Sequence, residues 1–255
     1  MSAVKNGMLS ICNSVLLFLS APFLVTFAQT PSGDWILARL DENLSSTSRV
    51  LVSKMVIRGR REVRTIEAKS WIQGTEKSFT EYLAPPREKG TKMLKIGDRL
   101  WMYSPSTDRT IQIAGHMLRQ SVMGSDLSYE DMLEDPKLSH LYRAEVTGSE
   151  VVDGRDCWVV ALVATSEKVA YHSRKMWVDK ERMVPLRAEL FARGGKLLKR
   201  MELRDVRRLQ GRWFPMRIWF KDVLKAGEGT EFIVESIEFD LHIPDYLFTK
   251  ASLTK

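Results

Sequence analysis

Two cysteines in 255 residues, Cys12 and Cys157, leave this chain without the paired thiols that staple small secreted folds. Its stability must therefore come from a hydrophobic core. The four histidines, His116, His140, His172 and His242, are scattered and form no HExxH or other pair at helical spacing, so no histidine-built metal site is expected. No Gly-x-Ser-x-Gly elbow is present to raise a serine nucleophile. Gly227-Glu228-Gly229 lacks the third glycine of a dinucleotide loop, and Gly90-Thr91-Lys92 lacks the earlier glycine of a phosphate loop. No stretch rich in Pro, Gly or Ser divides the chain, and no internal repeat stands out. The expectation is a non-enzymatic protein with no cofactor and no metal.

The N-terminus supplies the first positive signal. Lys5 precedes the apolar run LSICNSVLLFLSAPFLVTFA, which contains Pro22 and ends on Thr26-Phe27-Ala28. A basic start, an apolar middle and a small-x-small ending read as a secretory signal peptide over residues 1–28, cut after Ala28. Cleavage removes Cys12 and leaves Cys157, inside the apolar run CWVVALV, as a buried and inert thiol. Residues 29–255 are then expected to form one domain. Net charge is +7, and the runs Arg58-Gly59-Arg60-Arg61 and Lys199-Arg200 would suggest nucleic acid in a cytoplasmic protein. An exported chain rarely meets any, so these read as solvated strand faces and no nucleic-acid partner is expected.

Most of the remaining chain alternates. Val184, Leu186, Ala188, Leu190 and Ala192 interleave with Pro185, Arg187, Glu189, Phe191 and Arg193, the period of two of a sheet with one buried face. Gly194-Gly195, Gln210-Gly211 and residues 226–229 turn the chain between further strands at 197–206, 212–224 and 231–241. Asp153-Gly154 is a hairpin signal between two β-branched runs. Upstream strands are expected at 49–57, 62–72, 77–83, 91–96, 99–103 and 109–113. Roughly ten or eleven antiparallel strands make a large curved sheet or an open barrel. Helices are few: one over 34–44 with Ser32 or Gly33 as cap and Ile36, Leu37, Leu40 and Leu44 on one stripe, and one near Pro244 with Tyr246, Leu247 and Phe248.

The stretch RQSVMGSDLSYEDM, Arg119 to Met132, breaks the alternation with a turn and a run of acids. Asp126, Glu130, Asp131, Glu134 and Asp135 lack the spacing and central glycine of a calcium loop. Ser128 and Asp131 instead resemble a capping box for a short helix, with Asp126 and Glu130 near its positive end and Pro136 stopping it. On that reading Asp131→Asn costs about 0.5 to 2 kcal/mol.

Twelve methionines add soft, adaptable apolar surface, and Phe214, Met216, Ile218 and Phe220 share one side of an expected strand. Either the sheet packs on itself or that side holds something.

Three segments carry a resemblance. Pro85-Pro86-Arg87-Glu88-Lys89-Gly90-Thr91, then Leu100-Trp101-Met102-Tyr103-Ser104-Pro105, then Met123-Gly124-Ser125-Asp126-Leu127-Ser128-Tyr129-Glu130-Asp131 resemble, in order and spacing, the outer-membrane lipoprotein-sorting family with a LolA-like domain. Leu127 stands where that family usually has an aromatic residue, and Met102 lies between Trp101 and Tyr103. The resemblance implies a half-open antiparallel β-barrel, mainly β with a few helices that close its concave apolar face. It implies a periplasmic carrier of acylated ligands, lipoprotein or lipid, that acts as a monomer. The acyl chain would meet Trp101, Met117, Met123, Met132, Leu133, Phe214, Met216, Ile218 and Phe220, and Gly124, Ser125, Asp126 and Ser128 would form a hinge and lid. A lid-fixing arginine is implied too, for which Arg58 and Arg64 both qualify. The alternative is a non-enzymatic envelope adaptor or sensor partnered with an inner-membrane lipid exporter of the resistance-nodulation-division type. A third reading, a periplasmic hydrolase, requires carboxylates converging in a pocket.

Overall fold

Thirteen strands in one antiparallel sheet make up most of a computed structural model that describes residue 1 and residues 30–134, 137–167 and 169–255. The expected signal peptide therefore lies outside the described residues, apart from Met1, and so does Pro136. Pro31–Lys255 form one compact unit. In chain order the strands are β1 (Ser48–Arg58), β2 (Val63–Gln73), β3 (Lys77–Ala84), β4 (Lys92–Ile96), β5 (Arg99–Ser104), β6 (Arg109–Ile113), β7 (Tyr142–Val152), β8 (Arg155–Ala164), β9 (Ser173–Asp179), β10 (Pro185–Phe191), β11 (Leu197–Leu209), β12 (Arg212–Asp222) and β13 (Gly229–Phe239). The sheet does not close. It curls into a half-open barrel with edges at β6 and β7, and the first and last strands pair at its centre.

This strand order decides what covers the barrel. Because β6 and β7 lie at opposite edges, residues 114–141 must cross from one edge to the other. They do so as two 3-10 turns, a short helix α2 (Tyr129–Leu133) and a single turn α3 (Leu138–Leu141) laid over the inner face. The stretch Arg119 to Met132 thus lies across the inner face as its cover, the segment expected to act as a lid. The other inner cover is the helix α1 (Gly33–Leu44), capped by the Ser32 hydroxyl, which accepts from the Trp35 amide at 3.2 Å. It buries Ile36, Leu37 and Leu40 against Val160, Leu162, Met176 and Ala188 of β8 to β10. Among the described residues no helix is long and apolar enough to cross a membrane.

Two expectations need correction. Thirteen strands replace ten or eleven, and β9 was not anticipated. Its sequence SRKMWVD places a buried Arg174 on the inward row with Met176 and Val178, so a charge masks the alternation. The C-terminal helix is a pair of 3-10 turns, Asp245–Phe248 and Lys250–Leu253, and it covers the outer face rather than the concave one. Ile243, Phe248 and Leu253 pack there on Phe79, Leu94 and Trp101.

Candidate functional site

Alternation along the central strands sets the composition of the inner face. On β1 the inward row is Arg49, Leu51, Ser53 and Met55, paired across to Ile72, Ser70, Ala68 and Ile66 of β2. Serine, alanine and threonine occupy the middle of this wall, at Ser53, Ala68, Ser70 and Thr80, where larger chains would fill the barrel. The Ser70 and Thr80 hydroxyls hydrogen-bond each other at 2.8 Å, which gives each a partner within the wall. Facing them are Phe214, Ile218 and Phe220 of β12 and Phe232 and Val234 of β13. The result is a cavity of about 530 Å³, within the span of roughly 300–1,000 Å³ typical of small-molecule sites.

The lid forms one wall of this space through Val122, Leu127, Asp131, Met132 and Glu134. At its tip Met123 and Gly124 both have positive φ, 51° and 75°, in a tight turn closed by the Ser125 amide donating to the Val122 carbonyl at 2.9 Å. Arg64 Nη2 donates to the Met123 carbonyl at 3.0 Å, and a Cβ at residue 124 would sit 2.8 Å from that nitrogen. The positive φ favours glycine at 124, and a side chain there would also push the Arg64 guanidinium off the Met123 carbonyl. Of the two candidate arginines, Arg64 meets the turn and Arg58 is exposed.

The acids hold the lid down. Ser128 and Asp131 form the capping box expected of them, with Ser128 N donating to Asp131 Oδ2 at 2.7 Å and Asp131 N to Ser128 Oγ at 3.3 Å. Asp131 does more than cap. Lys199 Nζ lies 2.5 Å from Oδ2, and the Tyr171 hydroxyl donates to Oδ1 at 2.6 Å. Burial, the largest single influence, opposes ionisation here, but the Lys199 charge together with the Lys199, Tyr171 and Ser128 hydrogen bonds holds the carboxyl below its ordinary value. Glu134 pairs with Arg174, whose guanidinium stacks 4.7 Å from the Tyr142 ring centroid. Burial pushes the Tyr142 hydroxyl up to about 12. Asp126 does not serve the helix end, contrary to the sequence-based expectation. Its Oδ2 accepts from the Thr230 hydroxyl at 2.8 Å and its Oδ1 from the Asp222 amide at 3.0 Å, so it pins the lid to β12 and β13. Lys225 adds a bond to the Ser125 carbonyl at 2.5 Å, and burial lowers its pKa.

The residues proposed for ligand contact divide into three groups. Met132, Phe214, Ile218 and Phe220 line the cavity. Met117, Met123 and Leu133 belong to the lid segment and pack on a cluster of Met55, Ile66, Tyr82 and Tyr129, and Met216 packs against Leu51 and Val234 of the cavity wall without lining the cavity itself. Trp101 belongs on neither list. Its strand neighbours Leu100 and Met102 face the lid, so alternation turns Trp101 to the outer face, where it is 4% exposed beneath the C-terminal turns. Trp101→Ala is accordingly expected to lower stability by about 3–5 kcal/mol in a denaturant titration, while the fraction that remains folded keeps its acyl-probe affinity. A change in affinity without a loss of stability would put Trp101 back in the site.

Several lining residues escaped the sequence reading, among them Arg49, Leu51, Phe232 and Val234. The inward row of β1 could have been read from its alternation once its neighbours were known. Among the described residues no group of three His, Cys, Asp or Glu could hold a metal ion. Cys157 is fully buried, and burial pushes its thiol up to about 11, far from a reactive thiolate.

Residues 74–255 match a family model whose description is "uncharacterized protein". No protein of curated function matches the chain. Among solved structures it is similar to a DUF1329 family protein from Desulfovibrio piger, at 23% identity over 87% of this chain and 97% of that one, with a TM-score of 0.81. A domain named as an outer membrane lipoprotein-sorting protein from Vibrio parahaemolyticus is 22% identical over 88% of this chain and 98% of its own, with a TM-score of 0.77. A LolA superfamily protein from Nitrosomonas europaea is 23% identical over 88% of this chain and 100% of its own, with a TM-score of 0.73. At these identities the likeness is one of fold.

Proposed function

We propose that this chain, which belongs to a family of uncharacterized proteins with the LolA-like fold of outer-membrane lipoprotein sorting, is a periplasmic carrier that shields an acyl chain of a lipid or lipoprotein inside its barrel. The observation that carries the reading is the apolar cavity of about 530 Å³ between the inner sheet face and a lid held by polar bonds. An acyl chain in water costs about 0.8 kcal/mol per methylene, so ten exposed methylenes cost roughly 8 kcal/mol. A carrier must offset most of that and still release its load. Walls of Phe214, Ile218 and Phe232 remove the methylenes from water, while a lid held by ion pairs as well as by apolar packing on the inner face can open without unfolding the sheet. The adaptor reading calls instead for a large exposed partner patch, and the continuous apolar cavity supports the carrier over it.

Export is the second part of the proposal. Mature protein is expected to begin near Gln29, and N-terminal sequencing of periplasmic protein checks it; a product beginning at Met1 in the membrane fraction would contradict it. The carrier itself is tested with a fluorescent fatty acid. Saturable binding near one probe per chain supports it, and no binding by protein stripped of lipid would overturn it.

A further inference from the structure

Two arginines line the cavity, and their partners differ. Arg174 is paired with Glu134 and stacked between tyrosines. Arg49 has no carboxylate: among the described residues its one hydrogen bond runs from Nη1 to the Leu44 carbonyl at 3.1 Å. A guanidinium carries five N–H donors in a planar fork, so this bond leaves most of them unused. The carbonyl end of α1 supplies only a partial negative charge. Burial lowers the Arg49 pKa, as expected of a cation drawn from water without a counter-charge.

Its position is as telling as its isolation. Register places Arg49 opposite Ile72, and Ile72 opposite Ser78, so Arg49 stands with the β2–β3 turn at one end of the cavity. The inward row then runs through Leu51 and Ser53 to Met55 under the lid, roughly 20 Å away at about 3.3 Å per residue. One end is cationic and polar; the path from it runs past Leu51, Ile72, Met55 and Ile66 and the small side chains Ser53 and Ala68.

We propose that Arg49 is a head-group site, and that the cavity takes a single-chain amphiphile whose head bears a negative charge, its carboxylate or phosphate on the Arg49 fork and its chain along β1 toward the lid. The inference rests on the acyl-carrier reading and adds the charge of the ligand to it. A planar fork meets either anion through two parallel bonds, geometry that a neutral ester cannot match.

The test uses mature protein stripped of lipid, with palmitic acid, its methyl ester and lysophosphatidic acid competing against a fluorescent fatty-acid ester. Wild type is expected to bind at least one of the two acids about tenfold to a hundredfold more tightly than the ester, the range set by charged hydrogen bonds. The preferred acid identifies the head as carboxylate or phosphate. Arg49→Gln should bring the ratio to near one, continued binding of the ester showing that the variant is folded, and Arg49→Lys should restore part of it. If wild type binds acids and ester alike, or if Arg49→Gln keeps the preference, Arg49 only caps α1 and the head-group site is wrong while the carrier stands. If none of the three binds, the carrier reading fails and takes this one with it.

Discussion

Lys199→Met is expected to cost about 3 to 5 kcal/mol of stability, because it strips the counter-charge from a largely buried carboxylate. Asp131 and Lys199 are 13% and 6% exposed at the side chain, and their atoms approach to 2.5 Å. Removing one partner of such a pair leaves the other buried and unpaired, which is far more costly than losing a surface pair. The same reasoning revises the value of Asp131→Asn upward from the 0.5 to 2 kcal/mol of a simple cap, since Lys199 and Tyr171 both lose their acceptor charge. Its pH dependence follows from the depressed pKa of Asp131. A carboxyl whose folded pKa lies below its unfolded one contributes stability fully above the unfolded value and loses it as pH falls through the folded value. The advantage of wild type over Lys199→Met should therefore hold from neutral pH to about pH 5 and shrink below about pH 4. Denaturant titrations at several pH values read both quantities, and hydrogen exchange across residues 115–134 should show the lid opening first. A cost under about 1 kcal/mol would mean that the pair behaves as a solvated one.

Ile218→Asp is expected to abolish acyl binding while leaving the barrel folded. Ile218 is half-buried, lines the cavity and pairs across to Phe232. A carboxylate there stands in the path of the chain, where an unpaired charge against methylenes is strongly unfavourable. With no ligand present, water entering the cavity can hydrate it. Phe220→Asp is a poorer choice because Phe220 is itself buried, so loss of binding and loss of fold would coincide. Wild-type affinity retained by a folded Ile218→Asp protein would mean that acyl chains bind elsewhere.

Local signals made much of this fold legible before the structure. Period-two alternation and glycine turns placed twelve of the strands, and the cap signals at Ser32 or Gly33 and at Ser128 placed the starts of α1 and α2 to within a residue, because capping is read within three or four residues. What stayed hidden is long-range. Asp131 looks like a helix cap in sequence, and nothing near it announces Lys199, 68 positions away, or Arg174 opposite Glu134, 40 positions away. β9 hid for the same reason, since the arginine that breaks its pattern is the one that the lid needs. Trp101 was misplaced because a motif records identity and spacing but not which side of a strand faces in. Arg49 was passed over as one more charge in a basic chain.

Native mass spectrometry of the mature protein, purified from the periplasm without detergent, tests the central claim most directly. The expected spectrum contains a complex heavier than the bare chain by the mass of one acylated molecule, which organic extraction removes and Ile218→Asp protein lacks. A wild-type spectrum showing only the bare chain, with fatty acid or lysophospholipid added in excess leaving it unchanged, would contradict it.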